Sequence, residues 1–156
     1  GCSPFRAEAV LRILRLKRRN PGKGLILIGS DIRQFHGLID LDRLERREEI
    51  LASWPGHVTW ILPARPGTPR WLRGDSRTLA VRVSAHLDVR RLCDRTGALV
   101  STSANPAGAP PARTGAGVRA YFGPEVDFII PGRAGPAARP SEIRDAVSGR
   151  ILRSGG

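Results

Sequence analysis

Strand-length apolar runs alternate with segments of helical periodicity along the chain, and this alternation limits the possible folds more than any other feature. The clearest run, Leu25 to Ile28, lies between two glycines and is typical of a buried strand. Strands are predicted at 24–29, 58–62, 79–83, 98–102, 126–130 and 150–153. Helices are predicted at 4–18, 40–52, 87–95, 118–122 and near 141–146. Such alternation indicates an α/β domain with a parallel or mixed sheet.

The length of 156 residues suits one domain covering 1–156, because no repeat or linker divides the chain. A stretch rich in Pro, Gly and Ala predicts a mobile loop at 131–140. No membrane partner is expected, because no apolar run reaches the roughly 20 residues that a membrane span needs. Two cysteines, Cys2 and Cys93, are too few for a disulfide framework and favour a reduced, intracellular setting.

The chain carries 26 Lys and Arg residues against 14 Asp and Glu, which gives a net charge of +12. This surplus favours anionic partners such as nucleotides or nucleic acid, although a coding bias towards surface Arg explains its bulk equally well. Lys17 and Lys23 are the only lysines. A compact ammonium group suits a phosphate oxygen and is not freely replaced by a guanidinium group. With Arg19, the lysines place cations beside the following strand, where α/β sheets bind anionic ligands.

Two further groups of residues have the chemistry of a binding site. Ser101–Asn105 follows a predicted strand and offers hydroxyl, amide and backbone N–H groups that suit phosphate oxygens. Arg82 lies within an otherwise apolar strand, where a charge needs a partner. That partner is either an internal carboxylate, from Asp88 or Asp94, or the carboxylate of a substrate. Composition leaves both readings open.

Several familiar motifs are absent or misplaced. Gly115–Ala120 fits the dinucleotide pattern G-x-G-x-x-A, but it follows a loop rather than a strand, so we interpret it as the start of a helix. His36, His57 and His86 lack the spacing of metal ligands. No phosphate-binding P-loop and no nucleophile elbow are present, so the sequence does not support hydrolase chemistry.

Seven segments, taken in order, resemble the YrdC-like family of threonylcarbamoyl-AMP synthases in its short, single-domain form. They are Lys17-x-Arg19, Lys23–Leu27, Trp54–Gly56 with Val58-Thr59, Thr68–Leu72, Leu79–Val83, Ser101–Asn105 and Pro140–Asp145. The resemblance extends from Gly1 to about Arg153. It implies a twisted, mixed or parallel open sheet, flanked by helices, around a basic concave cavity.

The resemblance also implies an activity. ATP, L-threonine and bicarbonate would give threonylcarbamoyl-AMP and pyrophosphate, which makes the protein a nucleotidyltransferase of the cytoplasm. Partner proteins would then use the product for N6-threonylcarbamoyladenosine modification of tRNA. Mg²⁺ is expected with ATP, and no protein ligand for it is identified. Because some members of the family bind double-stranded RNA, the alternative is a structured-RNA-binding module without catalysis.

Site residues follow from the same resemblance. The implied nucleotide ligands are Lys17, Arg19, Lys23, Ser103, Asn105 and Arg153, and the first two are also the implied catalytic residues, through their hold on the ATP phosphates. The implied threonine ligands are Arg82, which would clamp the carboxylate, and Ser101 and Ser141. Ile28 occupies a position at which some relatives carry a threonine-contacting His.

The family carries a strand–helix–strand stretch, with a Pro-Thr-Glu-Thr-like segment, upstream of the position of Gly1. That stretch supplies a threonine to the substrate pocket, and this sequence does not contain it. We therefore expect an N-terminally truncated chain, with an exposed sheet edge or without central strands, and impaired activity.

Overall fold

A computed structural model describes residues 1–131 and 140–155, and a six-stranded sheet lies at their centre. The strands are β1 (Ile26–Gly29), β2 (Val58–Pro63), β3 (Thr78–Val83), β4 (Leu99–Ser101), β5 (Glu142–Asp145) and β6 (Ile151–Arg153). Their order in the sheet is β4-β1-β3-β2-β5-β6. The pairs β1–β3 and β2–β5 are parallel and the other three pairs are antiparallel. The predicted mixed α/β sheet is confirmed.

Helices connect and flank the strands. They are α1 (Ala7–Leu16), α2 (Arg47–Ala52), α3 (Arg70–Arg73), α4 (Leu87–Thr96) and α5 (Gly115–Phe122), with 3₁₀ turns at Pro21–Lys23, Ile32–Phe35 and Gly123–Glu125. Gly97 ends α4 with a φ of 78°. The side chain of Thr114 caps α5 by accepting a hydrogen bond from the Gly117 amide at 3.1 Å. This cap confirms that Gly115–Ala120 is a helix start.

The hydrophobic core lies against one face of the sheet. Side chains alternate between faces along a strand, so Leu79, Val81 and Val83 of β3 all point the same way, and all three are buried. Trp60 and Leu62 of β2 join them and are fully buried. The layer that covers this face contains Val10, Leu14, Phe35, Ile50 and Leu72. The core therefore leaves the opposite face of the sheet free for other contacts.

One edge of the sheet is formed by β4, and residues near the chain start contact it. The Val100 amide donates a hydrogen bond to the Cys2 carbonyl at 2.9 Å, which forms an antiparallel bridge. This edge is thus partly paired, and the pairing limits the backbone groups open to another chain.

Two predicted elements are wrong, and two predicted helices are shorter than expected. The segment near 141–146 is not a helix, because Glu142–Asp145 forms β5 and pairs with β2. No strand forms at 126–130, where Phe128 and Ile130 are 75% and 56% exposed on the surface. The helix predicted at 4–18 begins only at Ala7, after Arg6 in the N-cap position. The helix predicted at 40–52 covers only its last six residues.

The mobile loop predicted at 131–140 lies, except for its two end residues, outside the described residues. Within the described part of the chain, no helix has the length and apolar character needed to cross a membrane.

Candidate functional site

A cavity of about 520 Å³ lies on the face of the sheet opposite the core. Alternation along the strands brings Ile61 of β2, Ile143 of β5 and the β3 residues Thr78, Ala80 and Arg82 to this face. The residues at its polar rim are Arg19, Lys23, Ser101, Ser103, Ser141 and Arg153. The strands therefore give the cavity a floor that is partly apolar and carries Arg82, and the other lining residues add polar and cationic groups.

The lining of this cavity is strongly basic. It contains five cations, Arg19, Lys23, Arg73, Arg82 and Arg153, and none of its described lining residues is Asp or Glu. Because like charges in a concave site add their potentials, the arrangement attracts a polyanion and disfavours a cationic ligand.

Arg82 is half-buried within β3, and its Nε atom is buried with no hydrogen-bond partner. No ion pair joins it to Asp88 or Asp94, both of which are exposed on α4. Burial lowers the pKa of Arg82, and the charge of the neighbouring Arg153 lowers that pKa further. An internal carboxylate is therefore not its partner among the described residues. Its guanidinium group is available to a carboxylate or phosphate that enters the cavity.

Ser141 and Arg153 form one hydrogen-bonded unit on the β5–β6 side of the cavity. Arg153 donates to the Ser141 carbonyl from Nε at 3.1 Å and from Nη2 at 2.8 Å, and Nη2 also lies 3.3 Å from Ser141 Oγ. On the other side, Ser141 Oγ is 3.1 Å from the hydroxyl of Thr59, a fully buried residue of β2. These contacts fix the position of the Ser141 hydroxyl at the cavity wall.

The two cations of the K-x-R segment have different partners. Lys17 caps the C-terminus of α1, and Arg18 adopts the left-handed region with a φ of 49°. The turn leaves Lys17 Nζ donating to the carbonyls of Ser103 and Asn105. Arg19 instead donates from Nη2 to the Gly24 carbonyl at 2.9 Å, and its Nε atom is buried without a partner.

The structure brings seven of the nine predicted site residues to the lining of the cavity: Arg19, Lys23, Arg82, Ser101, Ser103, Ser141 and Arg153. The other two, Lys17 and Asn105, lie behind this lining. Asn105 donates from Nδ2 to the carbonyls of Pro106 and Ala109, at 3.1 and 2.7 Å, and its Oδ1 atom is buried without a partner. Both side chains therefore contact the backbone of the loop that follows β4.

Sequence reasoning missed two residues that contribute to the site. Arg73, at the end of α3, lines the cavity and donates to the carbonyls of Thr68 and Ser76. The Leu25 amide donates to the Leu72 carbonyl at 2.8 Å and holds α3 beside this wall, and no local sequence pattern indicates that contact. Thr59, the partner of Ser141, could have been found from its place as a hydroxyl residue within an otherwise apolar strand.

The fold and the site together define an α/β protein that holds its core on one face of a mixed sheet and a basic pocket on the other. The Sua5/YciO/YrdC family model, whose description reads "Telomere recombination", matches residues 1–155. The chain belongs to this family.

Relatives with assigned activities are similar over nearly the whole chain. A threonylcarbamoyl-AMP synthase from Xanthomonas euvesicatoria is 49% identical in an alignment of 156 positions that covers 98% of this chain and 83% of the relative. A threonylcarbamoyl-AMP synthase from Halorhodospira halophila is 51% identical over 154 residues, which are 98% and 81% of the two chains.

Solved structures share the fold. P. abyssi Sua5 complexed with L-threonine matches with a TM-score of 0.85 and 29% identity over 96% of this chain. The match covers 45% of that protein, so this chain spans about half the length of the P. abyssi protein. E. coli YciO matches with a TM-score of 0.81 over 99% of this chain and 77% of its own, and at 22% identity it shows the fold alone.

Proposed function

We propose that this chain catalyses the synthesis of threonylcarbamoyl-AMP from ATP, L-threonine and bicarbonate, with release of pyrophosphate. The observation that carries the proposal is the unpaired Arg82 guanidinium group within a cavity lined by five cations and, in its described lining, by no acid. Relatives about half identical to this chain bear the name of that activity.

The reaction needs positioned charges more than a covalent catalyst. The threonine nitrogen forms an N–C bond with the carbon of CO₂, as one C–O π bond opens and the nitrogen releases a proton to solvent. With bicarbonate, a C–O bond breaks instead, and the proton of the nitrogen leaves with that oxygen as water. Both routes give a carbamate. A carbamate oxygen then attacks the α-phosphorus of ATP, the bond from that phosphorus to the bridging oxygen breaks, and pyrophosphate leaves with the electron pair. Alignment of the two substrates and neutralisation of the phosphate charge account for catalysis of such a step.

In this proposal, the two ends of the cavity bind different substrates. Arg82 binds the threonine carboxylate, for which a guanidinium group offers two parallel donors. Ser101 and Ser141 contact the remainder of threonine. The phosphates lie against Arg19 and Lys23, and Arg153 contacts the nucleotide.

The loop of Ser103 and Asn105 completes the nucleotide side. Mg²⁺ arrives with ATP as part of the substrate, and phosphate oxygens and water are ligands that it favours. Among the residues that the structure describes, no group of three or more His, Cys, Asp or Glu side chains could hold a metal ion. The proposal therefore assigns no protein ligand to Mg²⁺.

The product is an activated carbamoyl group, which another protein must transfer before water hydrolyses it. We propose that partner proteins of tRNA modification take it up in the cytoplasm and place it on adenosine as the N6-threonylcarbamoyl group. A basic surface of this kind could also meet RNA directly, and the test below includes that outcome.

Pyrophosphate release from ATP tests the proposal, with threonine and bicarbonate each omitted in turn. We expect release only when all three substrates are present. Release that ignores threonine, or no release at all, would contradict the proposed function. A module that only binds structured RNA would instead bind duplex RNA with a steep salt dependence and would not respond to threonine.

A further inference from the structure

Arg73 is a cation of the large cavity to which the proposed function gives no role. It is the last residue of α3, it is half-buried, and it belongs to the described lining of the cavity. The other four cations of that lining are already assigned to ATP or to threonine. A partly desolvated charge on the wall of a binding site calls for a partner, and the geometry around Arg73 indicates which one.

Two backbone hydrogen bonds join the segment before β1 to the end of α3. The Leu25 amide donates to the Leu72 carbonyl at 2.8 Å, and the Asp75 amide donates to the Gly22 carbonyl at 3.1 Å. The later residue of one segment is bonded to the earlier residue of the other, so the two segments lie antiparallel. The bonds therefore hold the two segments against each other at both ends.

Lys23 and Arg73 lie between these two bonds, one on each segment, and both line the cavity. Within the described part of the chain, neither of them forms an ion pair. The acid next to them, Asp75, pairs with Arg70 at 2.6 Å and is not among the described lining residues. Neighbouring cations repel each other, and an anion that contacts both of them removes that cost.

Two carbonyl groups hold the guanidinium group of Arg73 in place. Its Nε atom donates to the Thr68 carbonyl at 3.2 Å, and Nη1 donates to the Ser76 carbonyl at 2.6 Å. Thr68 is buried, and its hydroxyl donates to the Leu38 carbonyl at 2.7 Å, which fixes the first of these acceptors. A guanidinium group has five N–H donors, so three are left over from these two bonds. They belong to a group that is already oriented, which lowers the entropy lost when a ligand binds.

We propose that Arg73, together with Lys23, binds the two terminal phosphates of ATP and then the pyrophosphate that leaves. The inference rests on the proposed function for the identity of this anion. Negative charge develops on the leaving pyrophosphate as its bond to the α-phosphorus breaks, and a fixed guanidinium group beside it stabilises that charge.

Two adjacent phosphates suit this pair of cations better than a single anionic group does. A carboxylate needs one guanidinium group, and Arg82 on β3 already offers one to threonine. Pyrophosphate carries several charges on linked groups, so it can contact an ammonium group and a guanidinium group at the same time. A monophosphate such as AMP has only the phosphate that remains with the nucleoside. Loss of Arg73 should therefore weaken the binding of pyrophosphate more than that of AMP.

Isothermal titration calorimetry tests the contact, with pyrophosphate and AMP as probes and Mg²⁺ at one fixed concentration. In Arg73→Gln, we expect the Kd for pyrophosphate to rise by about tenfold or more, because charged hydrogen bonds to the ligand are lost. The Kd for AMP should change by less than about twofold. An unchanged Kd for pyrophosphate, or an equal rise for both probes, would overturn the inference. So would a wild-type protein that does not bind pyrophosphate.

Arg77→Gln is the matched control for charge. Arg77 is exposed, lies four positions after Arg73 and is not among the described lining residues of the cavity. Because solvent and salt screen an exposed charge, its loss should change the Kd for pyrophosphate by less than about twofold. If both variants weakened pyrophosphate binding equally, net charge alone would explain the effect and the inference would fail.

Steady-state kinetics test the same contact during turnover. In Arg73→Gln, the KM for ATP and the inhibition constant of added pyrophosphate should both rise by about tenfold or more, while the KM for threonine changes by less than about twofold. If Arg73 only held the carbonyls of Thr68 and Ser76, the variant would unfold at a lower urea concentration and keep all three constants. That result would contradict the inference.

The proposed function and this inference fail separately. If the wild-type protein releases no pyrophosphate from ATP, the proposed function fails, and calorimetry still decides whether Arg73 binds pyrophosphate. If Arg73→Gln does not fold, hydrogen exchange in the wild-type protein decides instead. Pyrophosphate should then slow exchange of the Gly74 and Asp75 amides by about tenfold or more, and AMP should not. Equal exchange with and without pyrophosphate would overturn the inference.

Discussion

The two faces of the central sheet differ in almost every physical property, although the same strands form both. On the core face of β3, Leu79 and Val81 are 1% and 0% exposed and pack against apolar neighbours. On the cavity face, Ala80 and Arg82 lie beside them in sequence but line an open basic pocket. A six-residue strand thus gives one set of alternate residues to the core and the other set to the cavity. Substitutions on the two faces should have different consequences.

The largest effect is expected on the core face, at Trp60. The side chain is fully buried, and its Nε1 atom donates to Ser53 Oγ at 2.9 Å. Trp60→Ala should lower the free energy of unfolding by about 3–5 kcal/mol, because a large cavity remains and Ser53 loses its partner. Urea unfolding measures this change. Leu87→Ala, at a 59% exposed position, is the control and should stay within about 0.5 kcal/mol of the wild type.

On the cavity face, Arg82→Ala should have the opposite effect and lower activity without lowering stability. We expect kcat/KM to fall by about 10²–10³-fold, since truncation leaves a substrate anion without its buried partner. Unfolding in urea should show equal or greater stability, because a desolvated cation without a partner is removed. Arg77→Ala, at an exposed position just before β3, is the matched control for charge and should retain activity. If the Arg82→Ala protein were less stable but fully active, the expected difference between the two faces would be contradicted.

A substitution at Thr59 tests whether the difference between the core face and the cavity face holds at every position. It lies on the cavity face of β2 by alternation with Ile61, yet it is fully buried and bonded to Ser141. Thr59→Val should cost about 1 kcal/mol of stability, the usual net contribution of one hydrogen bond. A double-mutant cycle with Ser141→Ala isolates that bond. Additive effects of the two substitutions would show that the contact at 3.1 Å contributes nothing.

The smallest effect concerns Asp145, at the end of β5. Its Oδ1 atom accepts hydrogen bonds from the amides of Val147 and Ser148 and from the Ser148 hydroxyl, and these bonds hold its pKa below the ordinary 3.8. A depressed carboxyl pKa gives stability that is fully present above pH 3.8 and is lost as pH falls through the folded value. Asp145→Asn should therefore weaken the acid dependence of the urea midpoint below that pH. Asp88→Asn, on the exposed side of α4, serves as the control.

The sequence predicts those parts of the fold whose pattern is local and repeated. The alternation of Leu79, Val81 and Val83 indicates both the strand and its buried face, and the glycines around β1 indicate a buried strand. The same alternation predicts that Arg82 needs a partner. It cannot say which one, because the positions of Asp88 and Asp94 depend on how α4 packs.

Elements whose structure depends on pairing with strands distant in the sequence could not be predicted. Glu142–Asp145 is polar enough to resemble a helix, but hydrogen bonding to β2 makes it a strand, and Arg144 lies over the Trp60 ring at 5.6 Å. The apolar run at 126–130 has the composition of a strand and no neighbouring strand to pair with. The contacts of Lys17 could not be predicted for the same reason, because its partners are carbonyls 86 and 88 positions away in the sequence.

The contact between Thr59 and Ser141 joins residues 82 positions apart, beside the parallel pairing of β2 with β5 that brings β5 into the sheet. Closing a loop of this length costs conformational entropy before any contact offsets the loss. Pairings of this kind therefore form late in folding. The antiparallel pairing of β2 with β3 joins strands close in the chain and can form early. We therefore expect a folding molecule to bury Trp60 before Ser141 and Arg153 reach the cavity wall, and thus to become compact before it can hold a substrate.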